Sequence, residues 1–205
     1  MSDLKQLELA HRDLVDEYLR RHPPEISEQT FTNLFVWRGS KPVLLLEAGD
    51  SLLFVEERED GLVLLGPPAG PITLGDALAA LARAAGGRPV LTMERLPESV
   101  LEGVRAEGLE PESDRDNDDY VYRREDLAEL SGRRLHAKRN LVERCLAEHE
   151  CAYGEITPAL LDEVADMQER WCEERNCGQN PGLCAEYQAI RELIPLVNGR
   201  PMQKL

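Results

Sequence analysis

The sequence predicts an α/β (α+β) fold, a mixed sheet flanked by helices and followed by the helical start of a second unit of the same layout. Three observations carry this expectation. Val43–Glu47, Leu52–Glu57 and Leu62–Leu65 are short runs of Leu, Val and Phe separated by Gly49-Asp50 and Asp60-Gly61, the signature of an antiparallel meander. Thr73–Ala85 is Ala- and Leu-rich, closes on Gly86-Gly87 and leads to the strand Pro89–Met93, which reads as a β-α-β crossover. With 205 residues, 42% of them apolar, the chain is large enough to bury a core and too apolar to be disordered.

Taken in order, Leu4, Leu7, His11, Leu14, Val15, Tyr18 and Leu19 fall on one stripe, so 3–20 is expected as a helix stopped by Pro23-Pro24. A second helix is expected over 28–37, capped by Ser27, with Phe31, Leu34 and Phe35 facing inward. After the meander and crossover come a helix at Glu98–Glu107 ending at Gly108 and a strand at Asp119–Tyr122. A meander followed by a crossover is the layout of the GNAT acyltransferase fold, here without its usual first strand, and a layout by itself assigns no chemistry. Beyond Tyr122 the pattern is helical over 125–149, with a break at Ser131-Gly132. A strand at Cys151–Glu155 follows, then a helix opened by Thr157-Pro158 and running to Arg175, a loop at 176–182 and a helix at Leu183–Val197. The expected organisation is a first GNAT-like domain at 1–124, then a linker helix and an incomplete second domain at 125–205. Apolar faces left uncovered on Ile156–Arg175 and Leu183–Val197 would favour self-association.

The formal charge of −15 argues against a non-specific nucleic-acid binder, whose affinity rests on Lys and Arg. No apolar stretch approaches the roughly 18 residues of a membrane span, and the N-terminus lacks a basic start followed by an apolar run, so a cytoplasmic location is expected. The five cysteines, Cys145, Cys151, Cys172, Cys177 and Cys184, contain no C-x-x-C pair. They read as small apolar fillers rather than a metal site, and no metal is expected.

Two places could carry chemistry. The first is the join between strand 62–65 and helix 73–85, where this layout presents backbone N–H groups to a cofactor pyrophosphate. The join reads Gly66-Pro67-Pro68-Ala69-Gly70-Pro71, and its three prolines cannot donate, so no cofactor is expected there. The second is Asp114–Asn140, which begins acidic and ends basic. On a helical wheel Leu135, Val142, Cys145, Leu146 and His149 share one face, with Arg133, His136, Asn140 and Arg144 opposite. Lys138 falls among the apolar residues, so it should either snorkel or meet a carboxylate such as Asp116, Asp118 or Asp119, or an anionic ligand. The plain alternative for Arg133, Arg134 and Arg144 is a solvated face, and for His136 a surface histidine rather than a general base.

The same residues carry a family resemblance. Phe31-Thr32-Asn33-Leu34-Phe35-Val36-Trp37, the block Asp116–Tyr122 (DNDDYVY) and the pattern L-x-x-L-x-G-x-x-x-H-x-K-R-N from Leu127 to Asn140 resemble the family named after the C-terminal domain of phosphatidylglycerol lysyltransferase. Trp171-Cys172 and Glu186 fit it less distinctively. The resemblance spans roughly 25–197 and implies a tandem pair of GNAT-like domains. The name-giving enzymes move a lysyl group from lysyl-tRNA to phosphatidylglycerol. For this chain the resemblance implies an aminoacyl- or acyl-transferase of unknown substrate, incomplete as given. Its anionic ligand would be an aminoacyl-tRNA, an acyl donor or a phospholipid head group. The candidate ligand-binding residues are Asp116, Asp119, Tyr122, Arg133, Arg134, His136, Lys138, Arg139 and Asn140; no catalytic residue is assigned. The competing reading is a non-catalytic protein that uses the basic helix to hold an anionic partner, and turnover by the chain would eliminate it.

Overall fold

The computed structural model describes residues 3–198. Its centre is a five-stranded mixed sheet in sequence order: β1 (Lys5–Gln6), β2 (Val43–Ala48), β3 (Ser51–Arg58), β4 (Gly61–Leu65) and β5 (Val90–Glu94). The first four strands pair antiparallel, and β5 joins β4 in parallel, with a register shift at Leu62/Val63.

The three central strands read as continuous apolar runs because both faces of the sheet are covered. Val43, Leu45, Leu52, Phe54, Val63 and Leu65 point to one side, where they meet Val15 and Leu19 of helix α1 (Arg12–Arg21) and Phe31, Leu34 and Phe35 of α2 (Phe31–Trp37). Leu44, Leu46, Leu53, Val55, Leu62 and Leu64 point to the other, under Ala77, Leu81 and Ala85 at α3 (Leu74–Ala84). Each fully buried Leu or Val adds about 1.5–3 kcal/mol, so this meander is where the unit's stability is concentrated.

Turn chemistry fixes the register. Gly49, with φ of +60°, takes the first central position of the two-residue turn that pairs Ala48 with Ser51. The second turn falls on Glu59-Asp60, one residue before the expected Asp60-Gly61, because Gly61 is itself in the ladder opposite Arg58. A Cβ on Gly61 would lie 2.5 Å from the Pro89 carbonyl oxygen, so its glycine serves close approach of backbones.

Four expectations are corrected. Residues 3–20 are not one helix: β1 precedes a 3-10 turn at Leu9–His11, and only then does α1 begin. The period-3.6 stripe extended past the true start because Leu7, buried at the end of β1, belongs to the same core as Val15 and Leu19. The first strand taken as missing is thus present, two residues long. The cap of α2 is Thr30, whose hydroxyl accepts from the Asn33 N–H, and not Ser27. Asp119–Tyr122 and Cys151–Glu155 are not strands. Crossover helix α3, capped by Thr73, and the strand after it stand as expected.

After β5 come α4 (Leu101–Ala106), α5 (Arg124–Glu129), α6 (Gly132–Glu148), α7 (Leu161–Arg175) and α8 (Pro181–Leu193). The expected break before α6 is real: Leu130 and Gly132 both adopt positive φ, +48° and +79°. Two compact units result, one of 1–117 with 157–205, the other of 118–156. Within the first, α8 packs against α2, the Arg38 guanidinium meets the Glu192 carboxylate, and Leu196 packs on the α1/α2 core. Ala189 is buried, and Leu183, Ile190, Leu193, Ile194 and Leu196 are half-buried. The expected bare apolar face on 183–197 is therefore largely covered; the side chain of Val197 and the chain end at Leu205 lie outside the described residues. Helix α7 is mixed, with Leu161 buried and Met167 exposed.

Candidate functional site

The basic block lies on α6, within the unit 118–156. The helix can form because Gly132 absorbs the turn out of α5 and Ser131 stands at its N-cap position. Along its 17 residues only Leu135 is buried and only Arg139 is half-buried. Arg133, Arg134, His136, Lys138, Asn140 and Arg144 are all exposed. Lys138 is therefore exposed, and among the described residues no carboxylate forms an ion pair with it. Arg134 sits 3.8 Å from Asp126, and Arg139 4.0 Å from Glu143. Among the described residues Arg133, Lys138 and Arg144 form no ion pair.

Arg139 is the best-anchored cation of the helix. It donates to the Leu130 carbonyl at 3.0 Å, tying α6 back to the end of α5, and to His136 Nδ1 at 3.0 Å. A guanidinium can only donate, so Nδ1 is the accepting nitrogen and a neutral ring carries its proton on Nε2. That nitrogen stands 3.3 Å from the Asn140 amide, which satisfies it by turning its carbonyl oxygen inward. Arg139, His136 and Asn140 thus form one chain of hydrogen bonds along a helix face. The Arg139 bond occupies the lone pair of Nδ1 and the proton sits on Nε2, so in this arrangement the neutral His136 ring has no free lone pair with which to act as a base.

Asp116 belongs to a 3-10 turn at Arg115–Asn117. Asp119, Tyr120, Val121 and Tyr122 are exposed and lie outside any helix or strand, with the rings of Tyr120 and Tyr122 stacked at 6.5 Å. The structure thus gathers His136, Arg139 and Asn140 into one network. Among the described residues, no hydrogen bond or ion pair brings Asp116 or Tyr122 to it.

The join 66–71 shows the opposite condition: its donors are spent. Gly66 N–H donates to the Glu94 carbonyl at 2.8 Å, Ala69 N–H to Leu52 at 2.9 Å, Gly70 N–H to Pro68 at 3.1 Å and Ile72 N–H to Ser51 Oγ at 3.0 Å. Those four, with three prolines, account for every residue from 66 to 72. At the N-terminus of α3, Thr73 Oγ1 accepts from the Asp76 N–H, and the Glu107 carboxylate lies where a Cβ on Gly75 would be 2.6 Å away. The positive end of this helix faces one of the chain's own carboxylates.

Sequence reading missed a charged triad on the α1/α2 face of the sheet. Arg58 Nε donates to Glu56 Oε1 at 2.8 Å, and its two terminal nitrogens donate to the two oxygens of Glu94 at 2.8 Å each. These bonds hold Glu94 below its ordinary range against a smaller opposing effect of burial, and raise the Arg58 pKa. The missed signal was positional: Glu56 follows Leu52 and Phe54 at period two, which puts a carboxylate on a buried face. Among the described residues no group of three or more His, Cys, Asp or Glu could hold a metal ion. No described helix is long and apolar enough to cross a membrane.

The profile of the family described as "Phosphatidylglycerol lysyltransferase, C-terminal" matches residues 19–196. A solved structure, "Conserved Protein of Unknown Function from Bacteroides thetaiotaomicron VPI-5482", superposes with a TM-score of 0.80 at 27% identity, over 95% of this chain and 67% of that one. No curated protein matches the chain.

Proposed function

The chain belongs to the family of the phosphatidylglycerol lysyltransferase C-terminal domain, and from that premise we propose that it serves aminoacyl or acyl transfer, with α6 holding an anionic group of the donor or acceptor. The observation that carries this reading is a set of unpaired, exposed cations, Arg133, Lys138 and Arg144, concentrated on one helix of a chain whose formal charge is −15. Attack of a hydroxyl or amine on an activated ester asks little covalent work of a protein. It asks that the ester be oriented and that charge on its carbonyl oxygen be stabilised as it develops. Arg139 suits the second task because it is already fixed by Leu130 and His136 and loses little freedom on binding. Arg133, Lys138 and Arg144 suit the first as freely placed phosphate contacts.

The element order and the parallel β4–β5 pair are consistent with a GNAT-like first domain. In such a domain the join at 66–71 would cradle a cofactor. Its spent donors favour a second reading for this part of the chain, a binding scaffold whose first unit does no chemistry.

Binding of tRNA, and separately of phosphatidylglycerol vesicles against phosphatidylcholine vesicles, tests the proposal. Binding should be salt-dependent, and Arg133→Ala combined with Lys138→Ala and Arg144→Ala should weaken it by about tenfold or more and flatten its salt slope. Equal binding by wild type and triple variant defeats the role of α6. Turnover of an aminoacyl-tRNA or acyl-CoA by the 205-residue chain would eliminate the scaffold reading.

A further inference from the structure

The five cysteines occupy three kinds of surroundings. Cys177 is buried, Cys172 and Cys184 are half-buried, and Cys145 and Cys151 are exposed, so the last two do not fill a core as the sequence suggests. The two exposed thiols belong to the unit 118–156 and share a hydrogen bond, with their sulfurs 3.9 Å apart. Closing that gap to the roughly 2.05 Å of a disulfide asks for side-chain rotation at an exposed site, where rotamers change freely.

Their place on the helix gives the pair a structural consequence. Cys145 lies in the last turn of α6, and Cys151 follows just beyond the end of the helix at Glu148. His149 N–H donates to the Cys145 carbonyl at 2.9 Å, which closes the turn. No basic residue stands in that turn, and Glu148 and Glu150 put negative charge at the negative end of the helix dipole, where a cation would be favourable. A covalent bond from Cys145 to Cys151 would supply the closure that the local charges oppose.

A second thiol pair lies in the other unit and behaves differently. Its hydrogen bond with Cys177, and then burial, push the Cys172 thiol up to about 11. Cys177 is 2% exposed. A thiol that keeps its proton beside a sulfur that no reagent reaches makes an inert pair. The bond to Cys145 likewise raises the Cys151 thiol above its ordinary value, so the resting state of the exposed pair is a dithiol, but here both residues are accessible.

We propose that Cys145 and Cys151 form a reversible dithiol–disulfide site whose oxidant is a small-molecule disulfide. The thiolate of one cysteine attacks the reagent, forming a mixed disulfide and expelling one reagent thiolate. The other cysteine, deprotonated in turn, attacks the protein sulfur of that mixed disulfide and expels the second. One S–S bond breaks and one forms. The two protein thiols lose two electrons and two protons, which leave on the two reagent thiols. Because the second thiol already stands beside the first, the internal step outruns another intermolecular encounter. The product staples the last turn of α6, the helix that carries Arg133, Lys138 and Arg144, to the segment after it. A disulfide exposed in this way is of the labile, reversible kind. The site does not depend on which group the protein binds or transfers.

Oxidised glutathione added to the reduced 205-residue chain, followed by intact mass and peptide mapping, tests the site. The chain should lose the mass of two hydrogens, the linked peptides should carry Cys145 and Cys151, and dithiothreitol should restore the starting mass. The mixed disulfide should stay below about a tenth of the protein, because the internal step is the faster one. Cys145→Ser and Cys151→Ser replace exposed side chains and should each stop at the mixed disulfide, whereas Cys172→Ser should oxidise as the wild type does. In the oxidised chain, exchange of the amides of 146–151 should slow by about fivefold or more. A wild-type chain that stops at the mixed disulfide, links Cys172 to Cys177 first, or joins two chains through a disulfide overturns the site. A bond between Cys145 and Cys151 that leaves those amides as fast as before overturns the stapling of α6.

Discussion

The meander 43–65 and the segment 118–156 are made from similar material and end in opposite states. Both carry runs of Val, Leu and aromatic residues, and both were expected to contain strands. In the meander, three consecutive runs lie one tight turn apart, so each finds its neighbour within a few residues. Two helices close one face and one closes the other. Every residue from Leu52 to Val55 and from Leu62 to Leu64 is at most 1% exposed. In 118–156 the runs 120–122 and 152–154 are separated by α5 and α6, and among the described residues no backbone hydrogen bond joins them. Apolar patterning supplies the appetite for burial, and local connectivity decides whether a chain can satisfy it alone.

The largest expected effects contrast the two regions directly. Leu64→Ala removes a fully buried side chain between β4 and α3, and should cost about 2–5 kcal/mol in a denaturant titration. Val142→Ala truncates a residue that is 46% exposed and should change stability by no more than about 0.5 kcal/mol. Equal losses at the two positions would mean that 118–156 is buried in solution, and would erase the contrast.

Next in size is Gly70→Ala. The strand-like contact of Ala69 with Leu52 brings the join against the start of β3, and a Cβ on Gly70 would stand 2.2 Å from Ser51 Oγ and 2.5 Å from Ser51 Cα. Ser51 is fully buried and its hydroxyl already accepts from the Ile72 N–H, so it cannot swing aside without losing that bond. A loss of about 1–3 kcal/mol is expected from thermal unfolding. A neutral result would show that the join is looser than its hydrogen bonds imply, and would reopen it to a ligand.

Much of the fold was legible because its signals are local. Gly49-Asp50, the run Leu62–Leu65, Thr73 as a cap and Gly86-Gly87 as a stop each act within a few residues of what they determine. The spent character of the join was half legible. Three prolines announce missing donors, but that Leu52, Ser51 and Glu94 absorb the remaining ones depends on strand pairing across the sheet. What could not be read was long-range. The two residues of β1 are strand only because Leu44 and Leu45 stand opposite, and the Glu56–Arg58–Glu94 triad joins β3 to β5 across the intervening strand. At the candidate site, the cations of α6 were legible as a pattern. A helical wheel assumes that something covers the apolar face, whereas on α6 Leu135 alone is buried and Lys138 is exposed.

The smallest expected effect asks whether the triad contributes through charge. Hydrogen bonds from Arg58 depress the Glu94 carboxyl below its ordinary value of 4.5, with burial pulling the other way. A depressed folded value means that folding is favoured by the ionised form. That contribution is complete above the unfolded value, near pH 4.5, and is lost as pH falls through the lower folded value. Because the Glu94 side chain is 38% exposed, solvent screens the pair and the contribution should stay below about 1 kcal/mol. The stability gap between wild type and Glu94→Gln, measured by urea titration, should therefore be present at pH 7 and narrower at pH 3. A gap unchanged between the two would assign the bidentate contact a purely geometric role, holding edge strand β5 to β3. A gap that closes would show that this edge is secured by an ion pair. The unit 118–156 has exposed pairs at 3.8 Å and 4.0 Å, Arg134–Asp126 and Arg139–Glu143, but neither ties one strand to another.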